Sequence, residues 1–394
     1  LIILGGCATT AHQKIDSVPI LQAQSEIPEH QLLDVGILIF ESESISAAKV
    51  EQEGTHPEIR KAESHFIPYH LKDTMQRTSY WGAVRVVPAP TEGAELLVHG
   101  KIRESNGENL AVQIKAVDAA GTLWLEKEYK MTANKTVYYS GGSSQQDPFQ
   151  NVYNSIANDL VRFKEELTEQ EISAIRRTAQ LKFARDFAPA AFGGYLGADD
   201  KDQPVIVRIP ADDDPMMARV MSIRDREYMF IDTLNAHYEK FYANMQPSYM
   251  NWRQLNLDER LALQKIKREA MYRQLAGALL IAGAVFLGAT DSGNTGGLQA
   301  GMVIIGGQVL VGGFNVSKEA EIHAEAIEEL GESFGNEMKT VTMEFEGRQY
   351  ELTGTAEEQF KKWRSLLQEI YYNETGFEQP PEELPLNQPV EKVP

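Results

Sequence analysis

The residue types that carry enzymatic chemistry are present in this sequence, but not at the spacings such chemistry needs. His65 and His70 stand five apart with Pro68 between them, whereas two zinc ligands on one helix face stand four apart. They read as exposed or hydrogen-bonded histidines. Asp199-Asp200-Lys201-Asp202 and Asp212-Asp213-Asp214 lack the alternation and the bidentate Glu of an EF-hand. Solvated loops are expected there, with weak calcium binding as the other reading. No G-x-S-x-G elbow is present, and Gly193-Gly194 is not followed by the Lys-Ser/Thr of a phosphate loop. Tyr228, Phe230, Tyr238, Phe241 and Tyr242 are read as core at helical spacing, with a ligand groove as the alternative. Cys7 is the single cysteine, which excludes an intrachain disulfide and zinc sites built on several thiolates. The expectation is a non-enzyme with no catalytic residue, no metal and no cofactor.

The 394 residues exceed one typical core, so two or three domains are expected. Hydrophobic content of 42% with 24% charged residues is ordinary for a folded protein. A net charge of −19 repels phosphate backbones and argues against nucleic acid as a partner.

Cys7 follows the apolar run Leu1-Ile2-Ile3-Leu4 and the small pair Gly5-Gly6, the order in which a secretory signal ends. Leu4-Gly5-Gly6-Cys7 resembles a bacterial lipoprotein box. The resemblance implies that residues 1–6 are a signal remnant, that cleavage precedes Cys7, and that Cys7 carries a covalent lipid. Ala8 stands where inner-membrane retention often has Asp, which implies the periplasmic face of the outer membrane. The competing reading is a buried cysteine beside a hydrophobic start. Residues 7–30, polar and without periodicity, read as the lipidated tether.

Elements then follow in the order β-α-β-β-β-β over residues 31–135. Strands are expected at Leu32–Phe40, Trp81–Val87, Leu96–Arg103, Leu110–Ala116 and Thr122–Met131, and a helix at Glu58–Arg77 with Pro68 at a start or kink. The phrases "DVGILIF", "YWGAVRVVP", "AELLVHGKI" and "LAVQIKAVDAAGTLWLEKEY" resemble the TolB amino-terminal domain and the periplasmic domain of the curli secretion-channel lipoproteins. That resemblance implies a binding or oligomerising module and no catalytic residue. Residues 148–274 read as mainly helical. The helix after Leu167 opens on the capping box Thr168-Glu169-Gln170-Glu171, residues 189–216 form a long loop, and a helix over Met217–Tyr249 precedes another that Asn256 caps.

Residues 275–314 form an uncharged apolar hairpin, LAGALLIAGAVFLGA and GGLQAGMVIIGGQVLVGGF joined by TDSGNT. Its glycines are Gly277, Gly283, Gly288, Gly297, Gly301, Gly306, Gly307, Gly312 and Gly313. Gly297-x-x-x-Gly301 and Ala278-x-x-x-Ala282 have the spacing that brings helix backbones close. Lys267, Arg268, Tyr272 and Arg273 precede it as interface anchors. Membrane insertion is the leading reading. A buried hairpin of a soluble domain, or a subunit interface, is the competing one, and residues 302–311 read equally as helix or strand. Residues 315–375 read as helix, β-hairpin and helix, the last opened by the capping box Thr355-Ala356-Glu357-Glu358, and 376–394 as a disordered tail.

The expected fold class is α+β. The expected role is an outer-membrane-anchored periplasmic lipoprotein that assembles with copies of itself into a ring or pore-like complex. Its partners would be itself, the outer membrane and other envelope proteins. The alternative is a monomeric or dimeric lipid-tethered binding or assembly factor.

Overall fold

The computed structural model describes residues 17–42, 57–133, 135–139, 147–288, 318–337, 340–345 and 348–376. Alternating apolar residues build a six-stranded sheet from β1 (Val35–Leu38), β2 (Glu41–Ser42), β3 (Val84–Val87), β4 (Leu96–Ser105), β5 (Asn109–Asp118) and β6 (Leu123–Thr132). Its order is β3-β1-β4-β5-β6, with β2 also on β4. β1 runs parallel to both β3 and β4, and β4, β5 and β6 form an antiparallel meander. The parallel β1–β3 pair requires a crossover, which helix α1 (Pro57–Gln76) supplies. Pro68 sits inside α1, which runs on through it without ending, so the expected helix start is not found.

Leu110, Val112, Ile114 and Ala116 point to one face of β5 and are fully buried. They pack with Phe66, Ile67 and Leu71 of α1 and with Val152, Ile156 and Leu160 of a helix over Gln150–Glu166. The Gln150–Glu166 helix follows a short one at Lys135–Tyr139, so the two are α3 and α2. Helix α4 (Glu169–Phe187) opens on the expected capping box, with Thr168 accepting from Glu171 N. The expected loop over 189–216 holds structure instead: a turn of helix α5 (Pro189–Phe192) and a small hairpin of β7 (Leu196–Ala198) and β8 (Pro204–Ile206). Short extended segments with few buried residues leave almost no periodic signal.

Helix α6 spans Pro215–Gly288, 74 residues, about 110 Å at 1.5 Å per residue. The sequence reading split this stretch; the structure does not. Asn256 is no N-cap. It is buried inside α6, and its amide donates to the carbonyl of Asn106, 150 positions away. Pro247 also lies inside α6, where the fully buried Met245 and Tyr249 flank it.

Helix α7 (Lys318–Glu337), the hairpin β9 (Thr340–Phe345) with β10 (Arg348–Thr353), and helix α8 (Ala356–Thr375) complete the chain. Phe334 of α7 packs against Phe241 of α6 with ring centroids 4.7 Å apart. The second capping box forms as expected, with Thr355 accepting from Glu358 N. Phe360, Trp363 and Leu367 of α8 are buried against Val220, Phe230 and Leu234 of α6. Helix α6 thus belongs to two apolar clusters, one shared with the sheet, α1 and α3, the other with β3, α4 and α8.

Candidate functional site

Three features carry the functional reading: a buried polar junction under α6, the free end of α6, and a groove beside α7.

The junction begins with Arg253, fully buried on α6. Its Nη1 donates to Asp147 Oδ2 at 2.8 Å and its Nη2 to the Tyr249 hydroxyl at 2.7 Å. The guanidinium also lies over the Tyr249 ring, 3.9 Å from its centroid. Burial pushes the Asp147 carboxyl up, but the Arg253 charge, the neighbouring His70 and the hydrogen bonds from Phe149 N and Arg253 together hold it below its ordinary value. Tyr249 donates to Glu63 of α1, and Ser105 at the end of β4 donates to the same carboxylate oxygen. His70 sits beside this network. Its Nε2 lies 2.8 Å from Gln150 Oε1 and its Nδ1 2.6 Å from the Tyr242 hydroxyl. A neutral ring with its proton on Nε2 satisfies both contacts. Burial holds the His70 pKa below the ordinary 6.5.

The β4–β5 turn closes the junction. Gly107 has φ +77°, and a Cβ there would lie 2.3 Å from the Arg253 carbonyl oxygen of α6. Only glycine fits a turn of that conformation so close to another backbone. Next to it, Glu108 accepts from Arg260 Nε at 3.2 Å and from Gln264. These polar groups bind α6 to the sheet; none is arranged as acid, base and nucleophile around a cleft.

Beyond Gln264, α6 changes character. Lys265, Ile266, Arg268, Glu269 and Met271 are all exposed, with Ile266 and Met271 each at 51%. Residues 265–288 would extend about 36 Å as helix. Of the expected anchors, Arg268 is exposed, while Lys267, Tyr272 and Arg273 are placed only as part of the helical run. Gly277, Gly283 and Gly288 also fall in that run. Gly297, Gly301, Gly306, Gly307, Gly312, Gly313 and Cys7 lie outside the described residues, as does the choice between helix and strand for 302–311. Among the described residues no helix is long and apolar enough to cross a membrane.

The expected tether is anchored at its far end. Val18 N donates to Asn151 Oδ1 and Leu21 N to Asn158 Oδ1, both on α3, and Ala23 N donates to the Thr78 carbonyl. The acidic runs have structural work. Asp199 accepts from the backbone of Lys201 and Gln203, and Asp214 from that of Met216 and Met217 at the start of α6. Among the described residues no group of three or more His, Cys, Asp or Glu is placed to hold a metal ion. Tyr238, Phe241 and Tyr249 are buried, so the aromatics of α6 are mainly core.

The groove is the feature sequence reading missed. About 730 Å³ lies open between the start of α1, α6, α7 and the start of α8. Phe241 and Phe334 form its floor, and the His65 ring stands 5.6 Å from Phe334. Its walls come from four elements far apart in the chain.

No family model matches the chain, and no curated protein does. Among solved structures, a dodecamer of a PelC point variant from Paraburkholderia phytofirmans overlaps 37% of this chain and 92% of that one, at 15% identity and a TM-score of 0.21. An overlap of that score and identity fixes neither fold nor function.

Proposed function

We propose that this protein is a non-catalytic outer-membrane lipoprotein, tethered through Cys7 on the periplasmic face. Copies of it would assemble into a ring through the glycine-rich segment 275–314. The observation that carries this reading is the course of α6, whose residues 265, 266, 268, 269 and 271 are exposed past Gln264 and which continues as helix into LAGALLIAGAVFLG. An uncharged apolar segment at the end of an arm needs an apolar environment. Residues 275–288 would reach only about 21 Å as helix, short of the roughly 30 Å hydrocarbon core. Side-by-side packing of several arms supplies what one arm lacks, and small residues at four-residue spacing allow it.

The groove beside α7 favours the second reading, a monomeric or dimeric tethered binding factor. Mass measurement in mild detergent separates the two. The ring reading expects a large symmetric particle for the intact chain and a monomer when a short Gly/Ser linker replaces residues 275–314. A monomer in both cases overturns it.

A further inference from the structure

We propose that the groove beside α7 binds a small organic cation, an ammonium group carried on an apolar stem. This inference is independent of whether the arms form a ring.

Its floor is aromatic: Phe241 and Phe334 present ring surface 4.7 Å apart, with Tyr238 buried beneath at 5.6 Å from Phe334. Its rim is acidic. Glu58, Glu328, Glu332 and Glu357 line the opening, and among the described lining residues Lys61 is the only lysine or arginine. A fifth carboxylate, Glu358, is occupied by the cap at Thr355 N, 3.0 Å away. Aromatic faces under a ring of carboxylates favour a positive charge and disfavour an anion. The volume of about 730 Å³ lies within the range of small-molecule sites.

Gly331 is the second indication. It lies inside α7 on the groove wall, and a Cβ built there meets nothing within 4 Å. Glycine in a helix costs about 1 kcal/mol relative to alanine. Among the described residues no atom crowds this position, so the wall there is open to a ligand.

The test is calorimetric titration of the full chain with phenethylammonium, 2-phenylethanol and 3-phenylpropionate. The ammonium is expected to bind, the alcohol about tenfold more weakly, and the carboxylate not at all. Gly331→Phe, which fills the space at the wall, is expected to abolish ammonium binding while circular dichroism stays unchanged. Should that variant misfold, the paired exposed substitutions Glu328→Gln and Glu332→Gln are expected to weaken ammonium binding about tenfold. Equal binding of all three probes overturns the proposal. So does no ammonium binding at millimolar concentration, ammonium binding that survives in a folded Gly331→Phe, or binding left undiminished in the paired Gln variant.

Discussion

Arg253 and Asp147 are the residues on which the body depends most. Both side chains are buried, at 0% and 3% exposure, and they face each other at 2.8 Å. Removing one partner leaves the other charge buried without compensation, at about 3–5 kcal/mol. Arg253→Met is therefore expected to lower unfolding free energy by that amount in urea titration, and an unchanged midpoint would contradict the assignment. His70 adds a pH dependence with a definite sign. Its folded pKa lies below the ordinary 6.5, so below that pH the unfolded ring takes up a proton first. Stability is then full above about pH 6.5 and falls as pH drops. His65 is depressed in the same direction, by burial first. His70→Gln is expected to flatten the decline in urea midpoint between about pH 7 and pH 5 without removing it. The sequence left His70 as exposed or hydrogen-bonded; it is buried, and its partners, Gln150 and Tyr242, lie 80 and 172 positions away where no local pattern shows them. Arg253 and Glu63 were illegible, because a lone charged residue in a helical pattern reads as solvated until the elements that cover it are known.

Regular elements were legible where local chemistry decides them. Both capping boxes formed, since Thr, two intervening residues and Glu satisfy backbone donors without tertiary help. Thr355→Ala is expected to cost about 1 kcal/mol by loosening the start of α8, and thermal melting measures it. Five strands of the sheet were legible from alternation, with β1 and β3 shorter and β4 and β5 longer than expected, and the two-residue β2 was not foreseen. The continuity of α6 was not. Asn256 reads as an N-cap opening a second helix, and its burial and its bond to the β4–β5 turn override that signal. That turn gives a sharper test. Gly107→Ala combines a φ of +77° with a 2.3 Å approach to the Arg253 carbonyl. Strain of this kind costs about 1–3 kcal/mol before the clash is added. The variant is expected to be destabilised well beyond Gly331→Ala, which has open space and gains about 1 kcal/mol of helix propensity. Equal effects in chemical denaturation would rule out the docking of the turn on α6.

At the scale of the molecule, α6 runs from two apolar clusters into a stretch whose described side chains, from Lys265 to Met271, are exposed. Among the described residues, every α6 residue buried in the two clusters lies at or before Leu257, and the last polar tie to the sheet is Gln264. Helix α7 returns to the body, where Ala324 and Ile327 are buried and Phe334 meets Phe241. The charge of −19 and the apolar segment were both plain in the sequence; that the segment sits at the end of one continuous helix was not, because it depends on α6 passing Asn256 unbroken. Body and arm are accordingly expected to be separable. Replacing residues 275–314 with a Gly/Ser linker removes no described core residue. The change in loop closure is expected to cost less than about 1 kcal/mol. The body should therefore keep a single cooperative unfolding transition near its original midpoint. Loss of cooperative unfolding in that variant would instead make the segment part of the fold, and the buried-hairpin reading would replace the arm.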